Sequence, residues 1–456
     1  MTTAFEMAEF AVETRYDDLP PAVVEEAKKR VLDSVAIAAG AVGAEPVEIL
    51  RETVTELAHD GTTTVWGSAA STSPPLATAL NGAMVRYLDF MDAYLLPDEV
   101  PHPSNNVAPA IVAAEYTDAS GTDLIAAIAV AYEVHYRLAA NAPLMPRGWD
   151  HGTYVAFASA AGTARLFGLD RAEAANAIGI AGVGHNALRV TRTGDISMWK
   201  GLSASNAARN AVYAVMLARN GMEGPVDVFE GQKGWKEVVS GPFDVSYTPG
   251  TAVTETMTKK YMAGTVAQTA LDGLEELLRR EGFDGTEIEA IDVETYERAK
   301  AIMGGTGEAG EAGDRYRVHT REEADHSLPY TMAALALDGE LGRAQYAPER
   351  IRRDDVQDLL RSVTIAEDPA LTERYERGEM PAVVRVTLAD GTVHEIEKPY
   401  FEGHPERPMS WDRLDEKFAS LADGVYDAGE RAAIVDAVRT LETSDARDLV
   451  ARLAVD

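Results

Sequence analysis

Apolar residues recur at three- and four-residue spacing through the first half of the chain. After Pro20-Pro21, the residues Val24, Ala27, Val31, Val35 and Ala38 share one face and Gly40 follows. That pattern predicts an amphipathic helix opened by proline and stopped by glycine. Ala-rich segments of similar character run through 76–88, 104–116, 122–138, 153–167, 171–180 and 202–219. So many small apolar residues predict helices packed closely on one another. A short extended piece, Thr62 to Trp66, interrupts them.

Near residue 285 the period changes from helical to alternating. Ile288 to Tyr296 reads as a strand, and Ser362 to Ile365 as another. Val383 to Leu388, Asp390-Gly391 and Thr392 to Ile396 read as a hairpin closed by a tight Asp-Gly turn. Helical segments at 266–280 and 328–338 sit among these strands. From about 410 the pattern is helical again, with Leu414, Phe418 and Leu421, then Ile434, Val438 and Leu441. The economical architecture is mainly α. A large all-helical domain is built from residues 1–257 and 399–456, and a smaller α+β domain, 258–398, is inserted between them. The Gly- and Glu-rich stretch Gly304 to Gly313 is expected to be a mobile loop.

Composition narrows the function. The 456 residues include 74 acidic and 42 basic side chains, a formal net charge of -32. Such a field repels nucleic acid and anionic membranes, so neither is an expected partner. Ten of the basic residues are Lys. An acidic, Lys-poor surface suits a salt-rich cytoplasm, in which bulk ions screen self-repulsion, and points to a halophilic source. The chain has no Cys, which excludes disulfides, thiolate zinc sites, Cys-ligated iron–sulfur clusters and a Cys nucleophile. The start lacks a basic segment followed by an apolar one, and the apolar run Leu124 to Tyr132 is too short to span a bilayer. A cytoplasmic protein is the expectation.

Five segments carry chemistry, and each also has a plain structural reading. Leu88-Asp89-Phe90-Met91-Asp92 followed by His102-Pro103-Ser104-Asn105-Asn106 suits a general acid/base His held by an acid, or a simple helix cap by Ser104 or Asn105. In Gly148-Trp149-Asp150-His151-Gly152, His151 at a helix start suits an anionic substrate, or Asp150 is only a cap. Lys200, in Ser197-Met198-Trp199-Lys200-Gly201, either binds a carboxylate or snorkels at the surface. Thr258-Lys259-Lys260-Tyr261 alone is a basic spot. Ala324-Asp325-His326-Ser327-Leu328-Pro329-Tyr330 pairs His326 with a potential proton donor in Tyr330, or is a capped helix start with proline in its first turn. No GxGxxG sits between a strand and a helix in a βαβ unit, P-loop, nucleophile-elbow and HExxH patterns are absent, and the nine His show no close pair at metal-ligand spacing.

These segments recur in one order: LDFMD…HPSNN, GWDH, MWKG, TKKY, ADHSLPYTMAALALDG and GHPERPMSW. Over about residues 5–420 the chain resembles the MmgE/PrpD family, which contains 2-methylcitrate dehydratases and cis-aconitate decarboxylases. The resemblance implies a helical domain with an α+β lid, a homodimer, a small tricarboxylate substrate and chemistry with no metal or other cofactor. It implies catalytic roles for Asp89, His102, His151, Lys200 and Tyr330. It implies substrate binding by Lys259, with Lys260 as fallback, and by His326 beside Tyr330. Ala93 stands where relatives often carry Thr, and no His follows Tyr261.

The spacing of LDF to HPS and the DHSLPY sequence are nearer to the dehydratase branch. That implies a lyase of the 2-methylcitrate cycle, in propionate catabolism. Loss of water needs the carboxylates held, a C–H deprotonated and the hydroxyl expelled with a proton. Lys200, Lys259, Arg192 and Arg209 suit the first task, and His102 or His151 suits proton transfer. Asp89 is expected to fix the tautomer of His102. The alternatives are a cis-aconitate decarboxylase, an isomerase of a related acid, and a non-catalytic tricarboxylate-binding relative. These distant pieces are expected to converge where the bundle meets the inserted domain.

Overall fold

A computed structural model describes residues 2–58, 60–193, 196–305 and 314–455. It divides the chain into two compact units. One comprises Met1–Arg192, Met198–Thr256 and Ser410–Asp456, and the other Thr193–Ser197 and Met257–Met409.

The first unit is a helical assembly. Its main helices are Thr3–Glu13, Pro21–Gly40, Glu45–Leu57, Pro74–Tyr87, Val107–Thr117, Gly121–Asn141, Gly152–Leu166, Arg171–Gly184 and Ser203–Arg219, followed by Trp411–Leu421, Ala428–Arg439 and Ala446–Leu453. The extended piece at Thr62–Trp66 contains β1 (Thr63–Thr64), which pairs antiparallel with β2 (Ser71–Thr72).

Small residues set the helix spacing. A Cβ on Gly162 would stand 2.8 Å from the Ala127 carbonyl oxygen and 3.0 Å from the Ala131 Cβ, so helices 152–166 and 121–141 approach almost backbone to backbone. Gly40 acts in the same way and is not a helix stop. It is the last helical residue, Ala41 follows in a right-handed conformation, and a Cβ would meet Leu88 at 2.9 Å and Leu421 at 3.0 Å. Close packing, not a left-handed turn, requires glycine there.

The second unit is α+β. Strands β3 (Ile288–Thr295), β4 (Val363–Glu367), β5 (Ala382–Leu388) and β6 (Val393–Lys398) form one sheet in the order β4-β3-β5-β6. Strand β3 runs parallel to β4 and antiparallel to β5, and β5 and β6 are antiparallel. Gly391, at φ 87°, supplies the left-handed turn residue expected of the Asp-Gly pair. Burial alternates along β5, so one face of the sheet is core. Helix Gln268–Glu281 covers that face: a Cβ on its Gly273 would lie 3.3 Å from Val384 and Ile396. Helix Leu328–Asp338 opens with the Ser327 hydroxyl accepting the Tyr330 N–H at 3.1 Å and ends at the left-handed Gly339.

Residues 399–409 lie in this unit, although sequence pattern grouped them with the last helices. Backbone pairing is the reason: Met380 N–H donates to Pro399 O at 3.0 Å and Thr258 N–H to Gly403 O at 2.8 Å. From Thr306 onward, the loop expected at 304–313 lies outside the described residues. Among the described residues, no helix is long and apolar enough to cross a membrane.

Candidate active site

The chemistry-bearing residues of the first unit gather at helix ends. Helix Pro74–Tyr87 stops, and Asp89 turns the chain from the left-handed region at φ 52°, a conformation that Asp tolerates better than most residues. Its carboxylate meets two buried cations: Arg86 Nη1 lies 2.9 Å from Oδ1, and Lys200 Nζ lies 3.5 Å from Oδ2. Lys200 is therefore no snorkelling surface residue; its side chain is 6% exposed, while the neighbouring Met198 and Trp199 face outward.

Three residues on, Asp92 staples the loop to the next helical turn. Its Oδ1 accepts the Ser104 N–H at 3.0 Å and its Oδ2 the Tyr132 hydroxyl at 2.8 Å, with Arg30 Nε 3.9 Å from Oδ2. Burial raises the Asp92 carboxyl, and Arg30, Ser104 and Tyr132 only partly offset it.

The Asp92 carbonyl oxygen lies 2.7 Å from Nδ1 of the buried His102. A carbonyl only accepts, so Nδ1 carries a proton, and in the neutral ring the lone pair is then on Nε2. This corrects the role expected for Asp89: the Asp92 backbone sets the tautomer of His102, and the Asp89 carboxylate engages Arg86 and Lys200.

The His102 ring packs edge to face on His151, centroids 5.1 Å apart at 78°. His151 stands just before helix Gly152–Leu166, and the preceding Asp150 has two tasks. It caps the helix by accepting the Gly152 N–H at 2.9 Å, and it binds Arg192 at 2.5 and 3.3 Å. Burial pushes the Asp150 carboxyl up, but Arg192 outweighs it and holds the group below the usual carboxylate range. His151 is pushed well down, first by burial and then by Arg192, Arg86, His135 and Arg189. Its Nδ1 is buried and has no hydrogen-bond partner among the described residues. The result is a neutral His151 packed on His102 beside several guanidinium groups, which suits an anionic ligand that must give up or receive a proton.

Arg209 is less central. It bonds Asn210 at 3.1 Å, and its charge helps depress His185, whose main perturbation is burial.

In the second unit, Lys259 is almost fully buried and is not a surface spot. Lys260 is caged by Asp272 at 2.7 Å, by Glu275, and by Glu402 at 3.7 Å. Its ammonium balances carboxylates of its own chain. His326 Nδ1 faces the Asp325 carboxylate, which Arg321 approaches at 3.6 Å. Ser327 caps the helix that follows. Tyr330 lies in the core, and its hydroxyl donates to the Gln345 carbonyl. Burial raises it above the ordinary phenol range.

The profile of the MmgE/PrpD N-terminal domain matches residues 5–248, and that of the C-terminal domain matches residues 261–443. The chain belongs to the MmgE/PrpD family. This MmgE/PrpD chain is 32% identical to the 2-methylcitrate dehydratase of Cupriavidus necator over 361 residues, 73% of this chain and 72% of that one. It is 29% identical to the 2-methylcitrate dehydratase of Escherichia coli (strain K12) over 371 residues, covering 73% and 72%. The cis-aconitate decarboxylase of Mus musculus is 23% identical over 471 residues, covering 96% and 90%.

In this MmgE/PrpD chain, sequence reasoning overlooked Arg86, Arg30, Tyr132 and Arg189 and assigned Asp92 no role. Arg86 left a usable signal, since it precedes Asp89 by three residues at the end of a helix. Arg30 and Tyr132 left little: each is one polar side chain on a long helix, paired with a residue far away in sequence.

Proposed function

We propose that this chain is a hydro-lyase that dehydrates 2-methylcitrate, or a closely similar 2-hydroxy tricarboxylate, to 2-methyl-cis-aconitate. The observation that carries the reading is His102, held as the Nδ1–H tautomer by the Asp92 carbonyl at 2.7 Å and packed on a neutral His151. Arg86, Lys200 and Arg192 supply charge for the substrate carboxylates. The lone pair on His102 Nε2 takes the proton from the carbon next to a carboxylate. The C–H electron pair forms the new double bond, and the hydroxyl leaves with a proton as water. Cations at the carboxylate stabilise the charge that develops there.

Lys259, His326 and Tyr330 keep, on the resemblance alone, the binding and proton-donating roles given above. The homodimer, the cytoplasmic location and the part in propionate catabolism are proposed on the same ground. Near-full-length alignment with the mouse decarboxylase favours a second reading, release of CO2 from cis-aconitate. Incubation with 2-methylcitrate, citrate and cis-aconitate, with products followed by mass, decides between them. An unsaturated tricarboxylate supports dehydration; CO2 and an unsaturated dicarboxylate support decarboxylation. Binding without turnover of any of the three would overturn both.

A further inference from the structure

Beneath the loop that holds His102 lies a buried set of charges with no part in the chemistry above. Helix Pro21–Gly40 presents Arg30 and Asp33, one turn apart, towards the loop. Arg30 approaches the Asp92 carboxylate at 3.9 Å and donates to the Thr256 carbonyl at 3.0 Å. Asp33 pairs at 2.6 Å with Lys417, which comes from helix Trp411–Leu421 near the chain end. The same ammonium donates to the Phe90 carbonyl at 3.2 Å and sits 3.6 Å from the centre of the Phe90 ring. Two ion pairs from neighbouring turns of one helix therefore grip Phe90 and Asp92, two residues apart in the loop.

Lysine fits this place chemically. One compact charge with three donors serves a carboxylate, a carbonyl and a ring face together. A buried ion pair is a weak device for stability, because apolar residues of similar volume often serve as well. Here the pair also ligates the backbone two residues before the carbonyl that directs the imidazole.

We propose that Lys417, with Asp33, Arg30 and Tyr132, is a positioning residue: it fixes the Phe90–Asp92 backbone and so holds His102 in one tautomer and one direction. The inference rests on the reading of His102 as the proton-transfer group. Its own readout, however, is the state of the imidazole.

The test replaces the pair by apolar residues of similar volume, Asp33→Leu with Lys417→Met, in the full chain. Two quantities are read: kcat and KM with 2-methylcitrate, and the His102 tautomer by long-range 1H–15N spectra of 15N-histidine protein, assigned with His102→Gln. The expected result is a kcat lower by about 10–100-fold, as for a small misplacement of a reacting group, with KM within about two-fold. The single Nδ1–H signature of His102 gives way to a tautomer mixture. If the double variant does not fold, Tyr132→Phe, which deletes one hydroxyl from Asp92, is read in the same way. A folded variant with wild-type kcat and an unchanged Nδ1–H signature would overturn the inference. If His102→Gln turned over normally, the proton-transfer reading would fall, while the tautomer spectrum would still decide the role of Lys417.

Discussion

Arg192→Ala puts the electrostatics of the site to a quantitative test. Asp150 is fully buried, and Arg192 binds both its oxygens, at 2.5 and 3.3 Å, with 9% of the arginine side chain exposed. Removing the guanidinium leaves a buried carboxylate with the Gly152 N–H, at 2.9 Å, as its remaining hydrogen bond among the described residues. Breaking a buried pair from one side costs about 3–5 kcal/mol, because the remaining charge is uncompensated. Replacing both partners by apolar residues costs much less, so Asp150→Leu with Arg192→Met is expected to lie closer to wild type. The sign with pH follows from the direction of the shift. In the wild type the Asp150 carboxyl lies below the usual carboxylate range, so its contribution is present above that range and is lost as pH falls through the folded value. Without Arg192, burial dominates and the carboxyl rises, so the penalty is largest near neutral pH and shrinks as the group protonates. Urea denaturation followed by circular dichroism at pH 7 and at about pH 5 measures both effects. A loss under about 1 kcal/mol, equal at both pH values, would refute the reasoning, since an exposed pair behaves in that way.

Burial and close packing elsewhere in the first unit have effects of their own. Burial lowers His135 from 6.5 to about 3. The unfolded chain therefore binds the extra proton between these values, and stability drops as pH falls below about 6.5. In denaturation curves, His135→Phe should remove about 1.4 kcal/mol per pH unit from that slope. Gly162→Val crowds the Ala127 carbonyl and Ala131 and should destabilise by about 1–3 kcal/mol, seen as a lower urea midpoint. Lys200→Met removes a cation 3.5 Å from Asp89; KM for the tricarboxylate should rise at least about tenfold, since a charge-assisted contact is lost. An unchanged KM would take Lys200 out of substrate binding.

Much of the fold could be read from periodicity because burial imposes it. Helix Pro21–Gly40 follows from Val24, Ala27, Val31, Val35 and Ala38, and β5–β6 from alternation around Asp390-Gly391. The end of the inserted unit could not be read in this way. Residues 399–409 are fixed by single backbone hydrogen bonds to Met380 and Thr258, which leave no periodic trace. At the site, residue types announced His102, His151 and Lys200. What sets their states did not appear, because the key acceptor for His102 is a peptide carbonyl, and any residue type supplies one. Lys417 was equally hidden: it grips Phe90 across 327 positions of sequence, and no spacing rule reaches that far.

The most direct test of the central claim is turnover and binding in His102→Gln. With 2-methylcitrate, kcat should fall by about 100-fold or more, as expected when a general base is lost. Calorimetric affinity for the tricarboxylate should stay within about threefold and the urea midpoint should be unchanged, because the carboxylate-binding cations are intact. Wild-type kcat in a folded, substrate-binding variant would contradict the account.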